Sequence, residues 1–164
     1  MRLTLQALGE PYARAARPGL RALARRHRPF VHIADPRRLT GSIDLDGTLA
    51  ADPMHRDANR WDYGVGFVPP AGAPSCAVWI EVHPVTTAEV PVVIAKKVWL
   101  ETWLRTTAPA LRAATQAAST ALPSSPFAWV ATGGLAGAFT KHAISRRGLA
   151  ENGLDMPVRT VRLP

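Results

Sequence analysis

A chain of 164 residues, 47% of them hydrophobic and only one a cysteine, is long enough to bury a core as a single domain without disulfides or structural metal. The lone Cys76 excludes both a disulfide framework and a zinc site built from cysteines, and a reducing cytoplasm is the expected compartment. The formal net charge of +8 is skewed, with nine basic residues in the first 38 positions against two acids. That skew points to a polyanionic partner, nucleic acid before acidic membrane, or else to a solvated basic face produced by an Ala/Arg/Pro-rich composition.

No stretch has the length and apolarity of a membrane span, and no uninterrupted apolar run near the N-terminus resembles a secretory signal. Residues 3 to 27 read as a helix with Leu3, Leu8, Tyr12, Ala15 and Ala16 on one side, kinked or split by Pro11 and Pro18-Gly19. Its arginines, Arg14, Arg17, Arg21 and Arg25, face water or a phosphate backbone. Residues 1–28 are thus expected to be a basic N-terminal helical segment, and 29–164 the core of one domain. Pro29 ends the helix and Phe30-Val31-His32-Ile33 is a first strand. Residues 41–47 alternate over only a few positions, which suits either a short edge strand or a loop closed by Asp46-Gly47.

Trp61 to Phe67 is aromatic and alternating, and Pro69-Pro70-Ala71-Gly72 turns it back as a hairpin into the apolar strand that starts at Cys76. That strand ends in Glu81-Val82-His83, where period-two alternation puts Glu81 and His83 on one face and Val82 on the other. Pro84 stops the ladder, and Thr86 or Thr87 can cap a helix to about Leu104 with Glu89 near its positive end. Val90, Val93, Ile94, Val98 and Leu104 are its apolar positions. Pro109 breaks this helix, an alanine-rich piece continues toward Ala118, and Phe127 to Ala131 is another buried strand. Gly133-Gly134 leads to a basic helix over 138–151, and 157–163 closes the chain as an edge strand. The order predicts an α/β fold, a single mixed sheet flanked by helices.

A strand carrying Asp62, a hairpin, and a strand carrying Glu81-Val82-His83, preceded by a helix and followed by helix and strand, resembles the PD-(D/E)XK nuclease superfamily. The resemblance implies a restriction-endonuclease-like α-β-β-β-α-β core and a magnesium- or manganese-dependent hydrolysis of nucleic-acid phosphodiesters. Carried over by position, Asp62 and Glu81 become the metal-holding acids, the Val82 carbonyl a further ligand, and His83 stands where the pattern has lysine. A neutral histidine can act as base but offers no fixed positive charge. Lys96 or Lys97 from the following helix could supply it as a migrated lysine, or Glu10 could complete the metal shell. Segments around Asp62, Glu81 and Lys96 to Trp103 also look like parts of small bacterial proteins, a likeness that implies no activity.

The chemistry has its own logic. Two carboxylates on neighbouring strands repel unless a cation lies between them, and hard oxygen ligands with room for water suit magnesium or manganese. The arginines would hold a nucleic-acid backbone with little sequence choice. Each piece has a plainer alternative. Asp62 can pair with Arg60 or an arginine of the first helix, Glu81 and His83 with each other, and Lys96 and Lys97 can be solvent charges. Asp44 and Asp46 are reserve ligands or the residues of a turn. Trp99 and Trp103, one turn apart, are core or a face for a second copy or a protein partner. The leading expectation is a metal-dependent nuclease-like domain, with Asp62 and Glu81 as magnesium ligands, His83 near the water and Lys96 as the migrated lysine; its rival is a silent module of the same fold that binds nucleic acid or a protein.

Overall fold

A computed structural model describes residues 12–72, 74–134 and 137–164. In chain order its elements are α1 (Tyr12–Ala15), β1 (Val31–Ile33), β2 (Leu39–Asp44), α2 (Leu45–Leu49), β3 (Tyr63–Phe67), β4 (Cys76–Pro84), α3 (Glu89–Thr106), α4 (Pro109–Ala121), β5 (Phe127–Thr132), α5 (Gly137–Lys141), α6 (Ala143–Glu151) and β6 (Val161–Leu163). The main sheet has the order β2-β3-β4-β5. Its first three strands form an antiparallel meander, and β5 returns parallel to β4 after α3 and α4. A parallel ribbon of β1 and β6 lies beyond β5, joined to it by a bridge from Val158 to Val130.

Alternation along the strands splits the apolar residues between two faces. Trp79, Phe127 and Trp129 pack with Val93, Leu100, Trp103 and Leu104 of α3, Leu111 of α4 and Leu149 of α6. On the other face Val65, Phe67, Val78, Ile80 and Val130 meet Leu23, Val31 and Leu163, so extended and turn segments cover it. Trp79 lies across Gly64, its partner in the β3–β4 ladder, where an added Cβ would stand 2.8 Å from the indole. The close approach requires glycine there, and it fixes β4 two residues before Glu81.

The hairpin, the long helix, the break at Pro109 and the strand at Phe127 follow the sequence pattern. The stretch at 41–47 is both of its alternatives in part: β2 is an edge strand, and it runs straight into the short α2.

Several expectations are corrected. Among the described residues the N-terminal helix is only Tyr12–Ala15, and residues 18–27 form turns and bends. The reason is local: Gly19 takes φ +57°, and Arg17 exchanges two backbone hydrogen bonds with Ser42, so the chain is drawn onto β2 as a bridge. The remainder of that expected helix, with Leu3, Leu8, Glu10 and Pro11, lies outside the described residues. Helix α3 begins after Ala88, with no side-chain cap from a threonine. Val98 is 53% exposed, while Lys97 takes a buried position. The basic helix is split between α5 and α6 at His142, whose ring accepts from the Ser145 amide and caps α6. At the C-terminus only Val161–Leu163 is strand.

Trp103 is core, 2% exposed, edge-on to Tyr12 and Trp79. Trp99 stacks on it and meets the His55 ring. The tryptophan stripe, expected as core or as an oligomer or partner face, is therefore mostly packing. No helix among the described residues is long and apolar enough to cross a membrane.

Candidate functional site

Strand β4 is fully buried from Cys76 to Glu81 and emerges at Val82 and His83. Its polar end lies beside the start of β3, which Asp62 immediately precedes, and beneath the first turns of α3. Glu81 has no exposed surface. An ionised carboxylate held there needs partners at both oxygens. Oε2 accepts from the Asp62 amide at 3.2 Å, and Oε1 accepts from the Lys96 ammonium. The backbone at Asp62 is thus pinned by the acid opposite it.

Asp62 reciprocates. Its Oδ2 accepts from the Val82 amide at 2.9 Å, and its Oδ1 lies 4.0 Å from the Lys96 ammonium. Amide and carbonyl of one residue in an extended strand point the same way, so the Val82 carbonyl also faces the β3 side of β4. The Asp62 carboxyl is pushed up to about 6, first by burial and then by repulsion from Glu81, against the pull of the Val82 amide and Lys96. Its side chain keeps 22% of its surface. The site is therefore a narrow seam with one half-open acid and one closed one.

His83 shares the face of Glu81, as alternation requires. Its Nδ1 is 3.4 Å from Glu81 Oε1 and its Nε2 is 2.6 Å from Glu89 Oε2. The bond to Glu81, then that to Glu89, holds the imidazolium above the ordinary histidine range despite burial. Glu89 is the residue that sequence reasoning did not place in the site. The signal was available: β4 ends at Pro84 and α3 begins at Glu89, so the connection is too short to carry the first helical turn away from His83.

Arg60 does not pair with Asp62. It binds Asp46 at 2.9 Å and the His55 carbonyl, fastening the loop after α2. Asp44 accepts from the Gly47 amide and caps α2. Both reserve carboxylates are thus used in local structure, although Asp46 still adds to the repulsion felt by Asp62. Lys97 points elsewhere, binding Glu101 at 2.6 Å with its ammonium 4.7 Å from the Phe127 ring centre. Arg14, Arg17, Arg21 and Arg25 are exposed. Of these, the Arg17 guanidinium binds the carbonyls of Arg14 and Ala16. The structure therefore brings together Asp62, Glu81, His83 and Lys96, and adds Glu89.

Among the described residues no group of three or more His, Cys, Asp or Glu side chains is arranged to hold a metal ion. The donors that do converge, the carboxylates of Asp62 and Glu81 on one ammonium, are hard oxygens. Magnesium, which retains several waters, is commonly held by only one or two carboxylates. The donor chemistry fits such an ion, with the Lys96 ammonium as the cation now lying against the pair. Compared with protein-family models, curated proteins and solved structures, the chain matches none.

Proposed function

We propose that the chain is a metal-dependent nuclease-like domain that hydrolyses nucleic-acid phosphodiester bonds at the seam of Asp62, Glu81 and Lys96. One observation carries the reading: the helix after the third strand of the meander delivers a lysine onto an acid pair drawn from the residue before the second strand and from the third strand. The strand order supports it, since a meander of three strands followed by a helical crossover to a parallel fourth is the order expected of a restriction-endonuclease-like core. Asp62, Glu81 and the Val82 carbonyl would hold magnesium or manganese, which when bound supplies charge neutralisation at phosphate and a more acidic water.

The chain's own residues have separable tasks. Lys96 holds the carboxylate of Glu81 in place and sets a positive charge at the mouth of the seam that does not depend on the protonation of His83. Asp62 Oδ1 faces the seam and is ionised at neutral pH, so it can take a proton from an attacking water. His83, gripped by Glu89, lies against the same Glu81 oxygen that Lys96 binds. The exposed arginines of residues 14–25 add sequence-independent affinity for a phosphate backbone.

One observation favours a second reading, a silent module that binds nucleic acid or a protein. Glu81 is closed to solvent and already neutralised by Lys96. Calorimetric titration of magnesium and manganese, with cleavage of labelled single- and double-stranded DNA and RNA, separates the two. Metal binding and cleavage that both vanish in Asp62→Asn and Glu81→Ala are the expected result. Salt-dependent nucleic-acid binding without cleavage would select the silent module, and neither activity in the wild type would remove both nucleic-acid readings.

A further inference from the structure

The opposite side of the same sheet end carries a second feature. Arg26, His27, Phe30, Val82 and Thr132 line an open cavity of about 390 Å³ at the carboxyl ends of β4 and β5, where open α/β sheets place their ligands. The His27 and Phe30 rings are stacked, 5.9 Å apart and inclined by 25°. His27 Nδ1 is 3.0 Å from the Tyr63 hydroxyl, which holds the ring in place. Arg26 is exposed and donates through Nε to His27 Nε2 at 3.2 Å, so the far end of its guanidinium is directed by the ring it touches.

Two backbone links tie this cavity to the acid pair. Val82, whose side chain forms one wall, gives its amide to Asp62 Oδ2. Tyr63, which anchors His27, is the residue after Asp62. The cavity and the seam are thus on opposite faces but at one sheet end, one residue apart along two strands. Residues 12–28, which supply Arg26 and His27, hold no carboxylate at all, and Arg14, Arg17, Arg21, Arg25 and Arg26 are exposed.

We infer that this cavity is a nucleotide subsite that takes one unpaired base against Phe30 and His27 with its phosphate on Arg26, so that the preferred substrate is single-stranded nucleic acid. The inference rests on the nucleic-acid reading above and adds the substrate class. A flat aromatic wall with a cation beside it suits a base and its phosphate, and stacking accepts every base because each has a π face. A base paired in a duplex cannot enter a concave wall of this kind without leaving its stack. A single strand crossing the sheet end can place one base in the cavity while the neighbouring phosphodiester lies at Asp62.

Binding of the full chain to fluorescein-labelled oligonucleotides, read by anisotropy in the presence of a chelator, separates recognition from hydrolysis. The probes are single-stranded DNA, single-stranded RNA, duplex DNA and an abasic strand of the same length. Single strands should bind at least about tenfold more tightly than the duplex or the abasic strand, and Phe30→Ala should remove about that preference. Arg26→Ala, at an exposed position that should leave folding intact, should weaken binding to every strand and lower the salt slope by about one. The DNA and RNA arms show whether a 2′-hydroxyl matters. Equal binding of base-bearing and abasic strands, wild-type affinity in both variants, or no oligonucleotide binding would overturn the subsite. Strand binding that depends on Phe30 and Arg26 but no cleavage with any metal would leave the subsite standing and remove only the hydrolase reading. Cleavage with both variants binding as the wild type would do the reverse.

Discussion

Helix α3 carries two consecutive lysines, Lys96 half-buried and Lys97 buried, and they teach different things. Lys96 reaches two carboxylates that come from β4 and from the residue before β3, neither on its own helix. Lys97 meets Glu101 one turn along the same helix and lies over Phe127. The second arrangement is locally balanced, one cation against one half-exposed acid. The first is not: Asp62, Glu81 and Glu89 face one ammonium and one imidazole. Charge gathered from separate elements and left incompletely neutralised is the physical mark of a site, whereas an i,i+4 pair needs no function to explain it.

The largest test of that contrast is Lys96→Met. Removing one partner of a buried pair leaves Glu81 uncompensated, and the loss should be about 3 to 5 kcal/mol in urea unfolding. A Lys96→Met/Glu81→Gln double variant should recover much of it, because no buried charge is then orphaned. Cleavage, if present, should be lost in both variants. A Lys96→Met protein as stable as the wild type would mean that the ammonium and Glu81 are not coupled.

Acid pH sharpens the contrast next. The folded carboxyl of Asp62 titrates near 6 against an ordinary 3.8. The folded state therefore binds the proton more tightly, and this group makes stability fall as pH rises from about 4 to 6, by up to about 3 kcal/mol. Asp62→Asn should flatten that limb of the stability profile and shift it nowhere else. Divalent cation binding, which competes with the same proton, should tighten over the same range. His83 acts in the same sense at higher pH: its raised value contributes stability that is complete below about 6.5 and is lost as pH rises through the folded titration. A profile that rises between pH 4 and 6 in the wild type and not in Asp62→Asn would contradict the burial of this acid.

Glu89→Gln is a smaller probe. It keeps the shape but exchanges a charge-assisted hydrogen bond to His83 for a neutral one, a loss of about 1 to 2 kcal/mol at neutral pH. The His83 ring resonances, followed by NMR, should titrate at lower pH than in the wild type. No change in that titration would detach Glu89 from the cluster.

How much of this was legible follows from the range of the forces involved. The acid and imidazole on one face of β4, the hairpin that brings Asp62 beside it, and the break at Pro109 all come from periods of two or from residues that forbid a conformation. Those signals are local. The choice between Lys96 and Lys97 was not local, because it depends on how α3 crosses the sheet, and that is set by Trp79, Trp103 and Leu100 packing in three dimensions. The N-terminal helix was over-read for a related reason: leucines and alanines at helical spacing also suit a turn segment pinned by Leu20 and Leu23 to the sheet and by Arg17 to Ser42. Arg60 illustrates the same limit, since the nearest acid in sequence is Asp62 and the partner it chose is Asp46.

The smallest expected effect is the most exacting control. Lys97→Met keeps the long apolar stem that fills the space beside Phe127 and Gly153, and it removes the ammonium. What is lost is an ion pair to Glu101, whose side chain is 49% exposed, and a contact with the Phe127 ring. Those are worth about 0.5 kcal/mol and about 1 kcal/mol, and relief of the buried charge offsets part of them. Unfolding should therefore shift by less than about 1 kcal/mol, and metal or nucleic-acid binding should not change. If Lys97→Met instead destabilised the fold as severely as Lys96→Met, the cost would lie in removing the ammonium of any paired lysine of α3. The convergence of Asp62 and Glu81 on Lys96 would then lose its claim to be special.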